Sequence, residues 1–538
     1  MLDTTRRTAV YDLAGVIVIA LVLRCFFFQG IYPSDQFTYS IIAHGVLSGW
    51  WWLGALFYEA STRWGFLLPT VGLYRFFGVS EVTSTAWPMS LSIGTVVVGY
   101  LLGQRIGGPR AGWLAAVLLA FFPLEVSYAS QLMGDGPLSF WLLLALYLFG
   151  CGDCATALSR RRAYLLASGL ALGIAYATKF VALLVLPFFL LVMLLRRRIE
   201  WQYLWIIAGI VAVIFVEMAL FSLYGGNAFL RIQSILADQS DAAHAIQQSV
   251  PEFTALRRSI WTYAYWMFVD LRYAGVAFIL LGVLLGWRVV GPRQFPRQGE
   301  NTKILWTVGL WALTLFLVLS LYPIQVSPYV PLYKVPNYML MFSAPLLVVT
   351  AVLLGQRSHF FQTVTLSVLI PTAVLCMIYA QESHRAVVDN SRALSAFART
   401  HRDRPVYASA RNVYLLRYFD RFTHYDAYRW YTTEKYGDEA KPAPDLAELH
   451  SAYVAVDRYF LFFDKDRFNF PAAVLDPPPT WRAVFSYQRQ PHWLARYGTA
   501  LVQRLAGWGI LTEAMGTWVE GKLHNWSHAE PVIVYAVE

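Results

Sequence analysis

Residues 32–49 read YPSDQFTYSIIAHGVLSG and follow an apolar run, from about residue 10 to about 30, long enough to cross a membrane. If that run is a span, Asp35 stands where the chain leaves the lipid. The segment it opens then carries Tyr39, Ile42, Ala43, Val46 and Trp50 at helical spacing. WWWLGALFY follows, which suits a helix lying in the membrane interface with an aromatic belt. Asp35 has two readings: a helix cap, since Ser and Asp are ordinary helix starts, or a base working at the outer membrane face.

Composition settles the class around this stretch. The 538 residues are 57% hydrophobic and only 14% charged, the balance of a polytopic membrane protein. Apolar runs fall at about 10–30, 84–103, 112–128, 136–150, 163–178, 180–195, 203–224, 272–287, 304–321, 337–354 and 363–379, so about 11 spans are expected. The fold expected is mainly α, a helical membrane bundle over 1–380. Residues 381–538 read as a C-terminal extracytoplasmic α/β domain, in which RPVYASARNVYLLRYF, AYVAVDRYFLFF and EPVIVYAVE are expected to contain strands, and KPAPD and DPPPTW to break them.

Nearly all of the net charge of +10 resides in the membrane part, with 24 Lys and Arg against 15 Asp and Glu before residue 381 and 19 against 18 after it. Orientation signals and phosphate contacts account for this surplus better than nucleic acid does. Fifteen cations lie in the connections assigned to the inside, including Arg105, Arg110, Arg160 to Arg162, Arg196 to Arg198 and Lys303, and eight lie in the longer outer ones. This places the N-terminus in the cytoplasm and the C-terminal domain outside. Two outer loops are long, about 31–83 and 225–271, which points to work done on that face. Cys25, Cys151, Cys154 and Cys376 lie in or beside spans, and one C-x-x-C without a second ligand pair reads as structural. No cofactor is expected; a divalent metal is conceivable, but no ligand cluster supports it.

An ionisable residue at membrane depth is expensive unless paired or turned to a wet cavity. The outer-side set is Asp35, Glu59, Arg63, Glu125, Asp135, Lys179, Glu217 and Lys334, with Arg257 and Arg258 in the second long loop. Singly, each has an ordinary structural reading: Asp135 caps the fourth span, Arg63 snorkels, Lys179 marks a turn, and Glu217 pairs with a buried partner such as Arg24. Together they suit a lipid whose phosphate needs cations and whose reaction partner needs a base.

The chain resembles the integral-membrane glycosyltransferases of the GT-C fold that use polyprenyl-phosphate sugars, in the protein O-mannosyltransferase and lipid A aminoarabinose transferase branch. The resemblance rests on SDQFTYSIIAHGVLSG, RWGFLLPTVGLYRFFG, GGPRAGWLAAVLLAFFP, GDGPLSFWLLLALYLF, GIAYATKFVALLVLPFFLL and KVPNYMLMFSAPL. It covers about residues 10 to 200, with a weaker echo around Lys334 and Tyr338. It implies that Asp35 is the catalytic base and Asp135 a second acid shaping the site. By the same resemblance Arg63, Lys179 and Lys334 contact the lipid phosphate, in a site that also takes in Tyr39 and Tyr338. Two departures stand out: Gln36 replaces a frequent second acid, and TRWG replaces a Lys-Pro-Pro element.

The expected activity is inverting transfer of a sugar from a polyprenyl-phosphate donor to a hydroxyl on a glycan, lipid or protein acceptor, in a bacterial inner membrane. A flippase or transporter of lipid-linked sugars would use the same cations without a base. An O-antigen polymerase or ligase would act on diphosphate donors.

Overall fold

The computed structural model of the chain describes residues 2–49, 59–197, 200–237, 259–290, 300–326, 329–431, 446, 449–464, 470–509 and 530–538. They divide into two compact units. The first is Met1–Phe28, Ile42–Phe77 and Val82–Ile378; the second is Gln29–Ile41, Gly78–Glu81 and Tyr379–Glu538.

The first unit is helical. Its elements begin with α1 (Leu2–Phe26), the end of α2 (Asp35–Ser48), α3 (Trp64–Phe77), α4 (Glu81–Ala120) and α5 (Pro123–Ala129). They continue through α6 (Asp135–Asp153), α7 (Leu158–Thr178), α8 (Leu186–Arg196) and α9 (Leu204–Gly225). Helices Ala277–Val290, Glu300–Leu321 and Leu340–Gly355 follow, then the start of His359–Thr400. By length and composition, six helices among the described residues are apolar enough to cross a membrane. One of these, α4, holds two of the expected spans. It is two helices joined at Gly108, whose φ of +81° only glycine adopts without strain, and Pro109 follows. The span drawn to residue 128 stops at Ala120, because Pro123 starts α5 as a separate helix.

Helices α7 and α9 meet backbone to backbone. A Cβ on Gly209 would stand 2.6 Å from the Leu166 carbonyl oxygen, and one on Gly169 would strike the Ile206 carbonyl. Small residues at this crossing allow close packing where the lipid supplies no hydrophobic drive. Deeper in, Trp311 is fully buried with Phe188 edge-on at 4.9 Å.

The expected boundary near residue 380 falls inside one continuous helix, His359–Thr400. Its apolar first half belongs to the first unit and its charged second half to the second. The second unit contains a five-stranded mixed sheet in the order Tyr428–Trp430, Val406–Ala408, Ala452–Asp457, Val532–Val537, Arg482–Tyr487. The first three strands are parallel, and Val532–Val537 runs antiparallel to both its neighbours. Strand Ala452–Asp457 is buried at every position. Tyr453 and Ala455 pack with Leu394, Phe397 and Leu416 on one face, and Val454 and Val456 with Tyr407, Val474 and Trp481 on the other. Part of RPVYASARNVYLLRYF is helix: after Val406–Ala408, Ser409 accepts a bond from the Asn412 N–H at 3.4 Å and starts helix Ala410–Phe419.

The segment that presents Asp35 belongs to this second unit and is fastened within it. Arg392 donates to the Gln29 carbonyl at 3.0 Å and to Glu81 Oε1 at 2.7 Å, and Glu81 Oε1 also accepts from the Ile31 N–H at 3.1 Å. Gly30, at φ +84°, leaves room for those side chains; a Cβ there would collide with Glu81. Phe37 stacks on Tyr414 at 4.5 Å, and Tyr32 packs against His384 at 5.5 Å. Burial holds His384 neutral, its ring pushed down to about 3.

Candidate functional site

Asp35 opens α2, and its side chain is exposed, with no hydrogen bond or ion pair among the described residues. It therefore caps nothing through its carboxylate, although its charge suits the positive end of the helix. Tyr39, one turn further on, is fully buried.

In the first unit, Asp135 is the first residue of α6 and Lys179 follows the last residue of α7. These helices are consecutive and joined by the short 154–157 connection, so the start of one lies beside the end of the other. Lys179 Nζ donates to Asp135 Oδ1 at 2.9 Å, and both side chains are buried. Each charge also has the sign favoured at its helix end. Asp135 Oδ2 is buried with no hydrogen-bond partner among the described residues. Tyr338 places its ring 4.7 Å from Lys179 Nζ.

Arg63 joins this group through α3. Gly65 lies so close to the end of α7 that a Cβ there would stand 3.0 Å from Ala177 and Thr178 backbone atoms, which brings Arg63 within electrostatic reach of Lys179. Arg63 Nε donates to Glu59 Oε1 at 3.0 Å, and its NH2 bonds the other Glu59 oxygen.

Lys334 is different. It is fully buried, and Nζ donates only to the Leu332 carbonyl, at 3.2 Å, with no carboxylate partner among the described residues. Burial pushes its ammonium down to about 8. It stands four residues before Tyr338, in the segment that leads into helix Leu340–Gly355.

Other residues of the expected set are otherwise engaged. Glu217 pairs not with Arg24 but with Arg231, at 2.7 Å, and its Oε2 also accepts from Trp64 Nε1 at 2.6 Å. Arg231 further donates to the Tyr176 carbonyl at 2.6 Å, with its guanidinium over the Tyr176 ring at 4.4 Å. Glu125 and Arg24 face each other electrostatically, and Arg24 Nε donates to Ser92 at 2.8 Å. Arg257 and Arg258 lie outside the described residues. Sequence reading missed Arg231, one cation among many, and Tyr263, which is fully buried within electrostatic reach of Asp135 and Tyr338. In WTYAYWMF nothing separates Tyr263 from ordinary core aromatics.

Trp64 and Gly65 also line a cavity of about 400 Å³ whose wall is apolar throughout, with Trp87, Trp141, Ile174 and Val216. Chain continuity puts this cavity next to Arg63. Among the described residues no three His, Cys, Asp or Glu side chains gather as a metal site.

Residues 70–221 match the family model of the dolichyl-phosphate-mannose-protein mannosyltransferases. No curated protein matches the sequence. In fold, the chain is similar to ArnT from Cupriavidus metallidurans bound to undecaprenyl phosphate, with a TM-score of 0.57 at 14% identity over 85% of this chain and 94% of that one. It is similar also to the oligosaccharyltransferase AglB from Archaeoglobus fulgidus in complex with an inhibitory peptide and a dolichol-phosphate. There the TM-score is 0.52 at 11% identity, over 99% of this chain and 89% of that one. The chain is thus an integral membrane protein with the GT-C fold of the polyprenyl-phosphate glycosyltransferases it resembles.

Proposed function

We propose that the protein is an inverting glycosyltransferase that moves a sugar from a polyprenyl-phosphate donor to an acceptor hydroxyl at the outer membrane face, with Asp35 as general base. The observation that carries this reading is Lys334, a fully buried cation without a carboxylate partner among the described residues. A buried charge left uncompensated is unfavourable, and an anionic ligand phosphate would supply what the protein does not. Tyr338, four residues after Lys334, meets Lys179, and the apolar cavity beside Arg63 suits the first isoprene units of such a lipid.

In this scheme the acceptor oxygen attacks the anomeric carbon from the face opposite the phosphate. The bond from that carbon to the phosphate oxygen breaks, polyprenyl phosphate departs with the electron pair, and the acceptor proton passes to Asp35. One displacement inverts the configuration. Lys334, with Lys179 in support, stabilises the charge gathering on the leaving phosphate. Asp135, held by Lys179, keeps that lysine in place and is a positioning residue. The exposed carboxylate of Asp35 is open to an incoming hydroxyl. The excess of cations in the connections assigned to the inside supports an outward-facing site and, with few cysteines, a bacterial inner membrane.

The test is reconstitution of the full chain in vesicles with a polyprenyl-phosphate sugar and extracts of envelope glycans, lipids and proteins, followed by mass spectrometry. Sugar transfer with release of polyprenyl phosphate is expected. Movement of intact donor across the bilayer without bond cleavage would identify a flippase instead.

A further inference from the structure

The end of the first unit remote from Lys334 carries a second cavity, of about 780 Å³. Helix α6 separates the two ends: Asp135 starts it, and Asp153 closes it roughly 27 Å away at 1.5 Å per residue. Asp153 is one of the residues lining the cavity.

Two ion pairs furnish the polar part of its wall. Arg196 meets Asp153 with two bonds of 2.7 Å, and Tyr203 accepts from the same guanidinium at 2.8 Å. Arg161 NH2 donates to Glu200 at 3.2 Å, while Arg161 Nε is buried with no hydrogen-bond partner among the described residues. These pairs cancel in charge. Lys303 lines the same cavity, is exposed, and has no acidic partner among the described residues. Among the described residues the cavity therefore holds one cation more than its anions, and one of its guanidinium groups, that of Arg161, keeps a spare buried N–H. Val192, Leu195, Trp306 and Leu310 supply an apolar part of its wall, beside Thr156 and Thr307. Leu195 and Trp306 are largely exposed, as side chains at a lipid boundary are.

We propose that this cavity binds the headgroup of an acidic phospholipid. Its single negative phosphodiester would rest on Lys303 beside the Arg161 guanidinium, with the upper acyl chain along Trp306 and Leu310. The volume far exceeds what one phosphate ion fills, and a free ion would leave the apolar side chains of the wall uncovered. A basic pocket between membrane helices is a recurrent form of lipid headgroup site. This site is independent of the transfer chemistry assigned to the other end.

Native mass spectrometry of the full chain in detergent, titrated with phosphatidylglycerol, phosphatidylcholine, undecaprenyl phosphate or inorganic phosphate, tests this. Tight binding of phosphatidylglycerol is expected, weakened about tenfold by Lys303→Gln and unchanged by Lys334→Gln. Lys303 is exposed, so its variant keeps the fold. The assignment is overturned if phosphatidylcholine binds as tightly, or if Lys303→Gln binds phosphatidylglycerol like the parent. It is overturned equally if inorganic phosphate or undecaprenyl phosphate displaces phosphatidylglycerol from this site at lower concentration.

Discussion

Replacing Lys334 by methionine should strengthen the ligand-free protein and weaken its complex with a polyprenyl phosphate. Burial lowers the ammonium from 10.5 to about 8. At about 1.4 kcal/mol for each factor of ten, that corresponds to about 3 kcal/mol by which the buried charge weakens the fold at neutral pH. Methionine fills a similar volume without the charge. It also forfeits the bond to the Leu332 carbonyl, worth about 1 kcal/mol, so a net gain of about 2 kcal/mol remains. On the ligand side, losing a charge-assisted contact to phosphate, worth about 1.5–3 kcal/mol, weakens binding about tenfold to a hundredfold. The pH dependence has opposite signs for the two properties. Because the folded-state value lies below the unfolded one, ligand-free stability rises as pH climbs from about 8 towards 10.5, where only the unfolded chain still holds the proton. Phosphate affinity instead falls as pH passes 8 and the ammonium is lost. Melting curves of the detergent-solubilised chain at pH 7 and pH 9, with and without undecaprenyl phosphate, measure both. A destabilised ligand-free Lys334→Met, or one that binds the lipid as the parent does, would refute the reasoning.

Three further substitutions separate chemistry from scaffolding. Asp35→Asn should leave the melting midpoint nearly unchanged, within about 0.5 kcal/mol, since the exposed carboxylate holds nothing, yet lower turnover about 10²- to 10⁴-fold; turnover within a few-fold of the parent would mean that another group is the base. Lys179→Met strands the buried Asp135 carboxylate and should cost about 3–5 kcal/mol, most of it recovered in the double variant with Asp135→Leu, and a double variant no more stable than the single one would show that the pair is uncoupled. Glu217→Gln should destabilise the bundle by weakening the Arg231 and Trp64 contacts while a folded fraction retains donor affinity; normal stability with lost affinity would return Glu217 to the binding site.

Much of the helical part was legible because apolar length is a direct demand of the bilayer. The run from Leu204 to Gly225 and that from Leu340 to Gly355 fall where hydropathy draws them. Helix ends were less so. Hydropathy does not register the missing N–H of Pro123, and it lost His359–Thr400 where that helix turns polar but not where its hydrogen bonding stops. The pairing of Asp135 with Lys179 was visible only as two charges near one face; the antiparallel course of α6 and α7 makes them partners. For Glu217 the sequence offered Arg24, whereas the partner, Arg231, lies 14 residues further on, beyond a turn at Gly226. Such a reversal depends on a left-handed Gly226, at φ +65°, which a hydropathy profile cannot see.

The buried charges of the first unit sort by whether the protein completes them. Glu217 and Arg231 together accept and donate to Trp64, Tyr176 and backbone carbonyls, so their energy is returned in packing and a ligand could add little. Asp135 and Lys179 are matched to each other but, among the described residues, leave one carboxylate oxygen unused. Among the described residues Lys334 is matched by a single carbonyl. A chain selected only for stability would exchange such a lysine for an apolar residue, because the exchange removes an uncompensated charge at no loss of volume. Its presence therefore argues for an anion that arrives from outside and departs again, and a lipid phosphate is the anion that an apolar bundle can admit beside an apolar cavity. On the proposed reading, a phosphate that must leave as product is best held by a cation whose charge the empty protein tolerates poorly: binding then relieves the buried charge, and the negative charge gathering on the departing phosphate is what such a site would favour most.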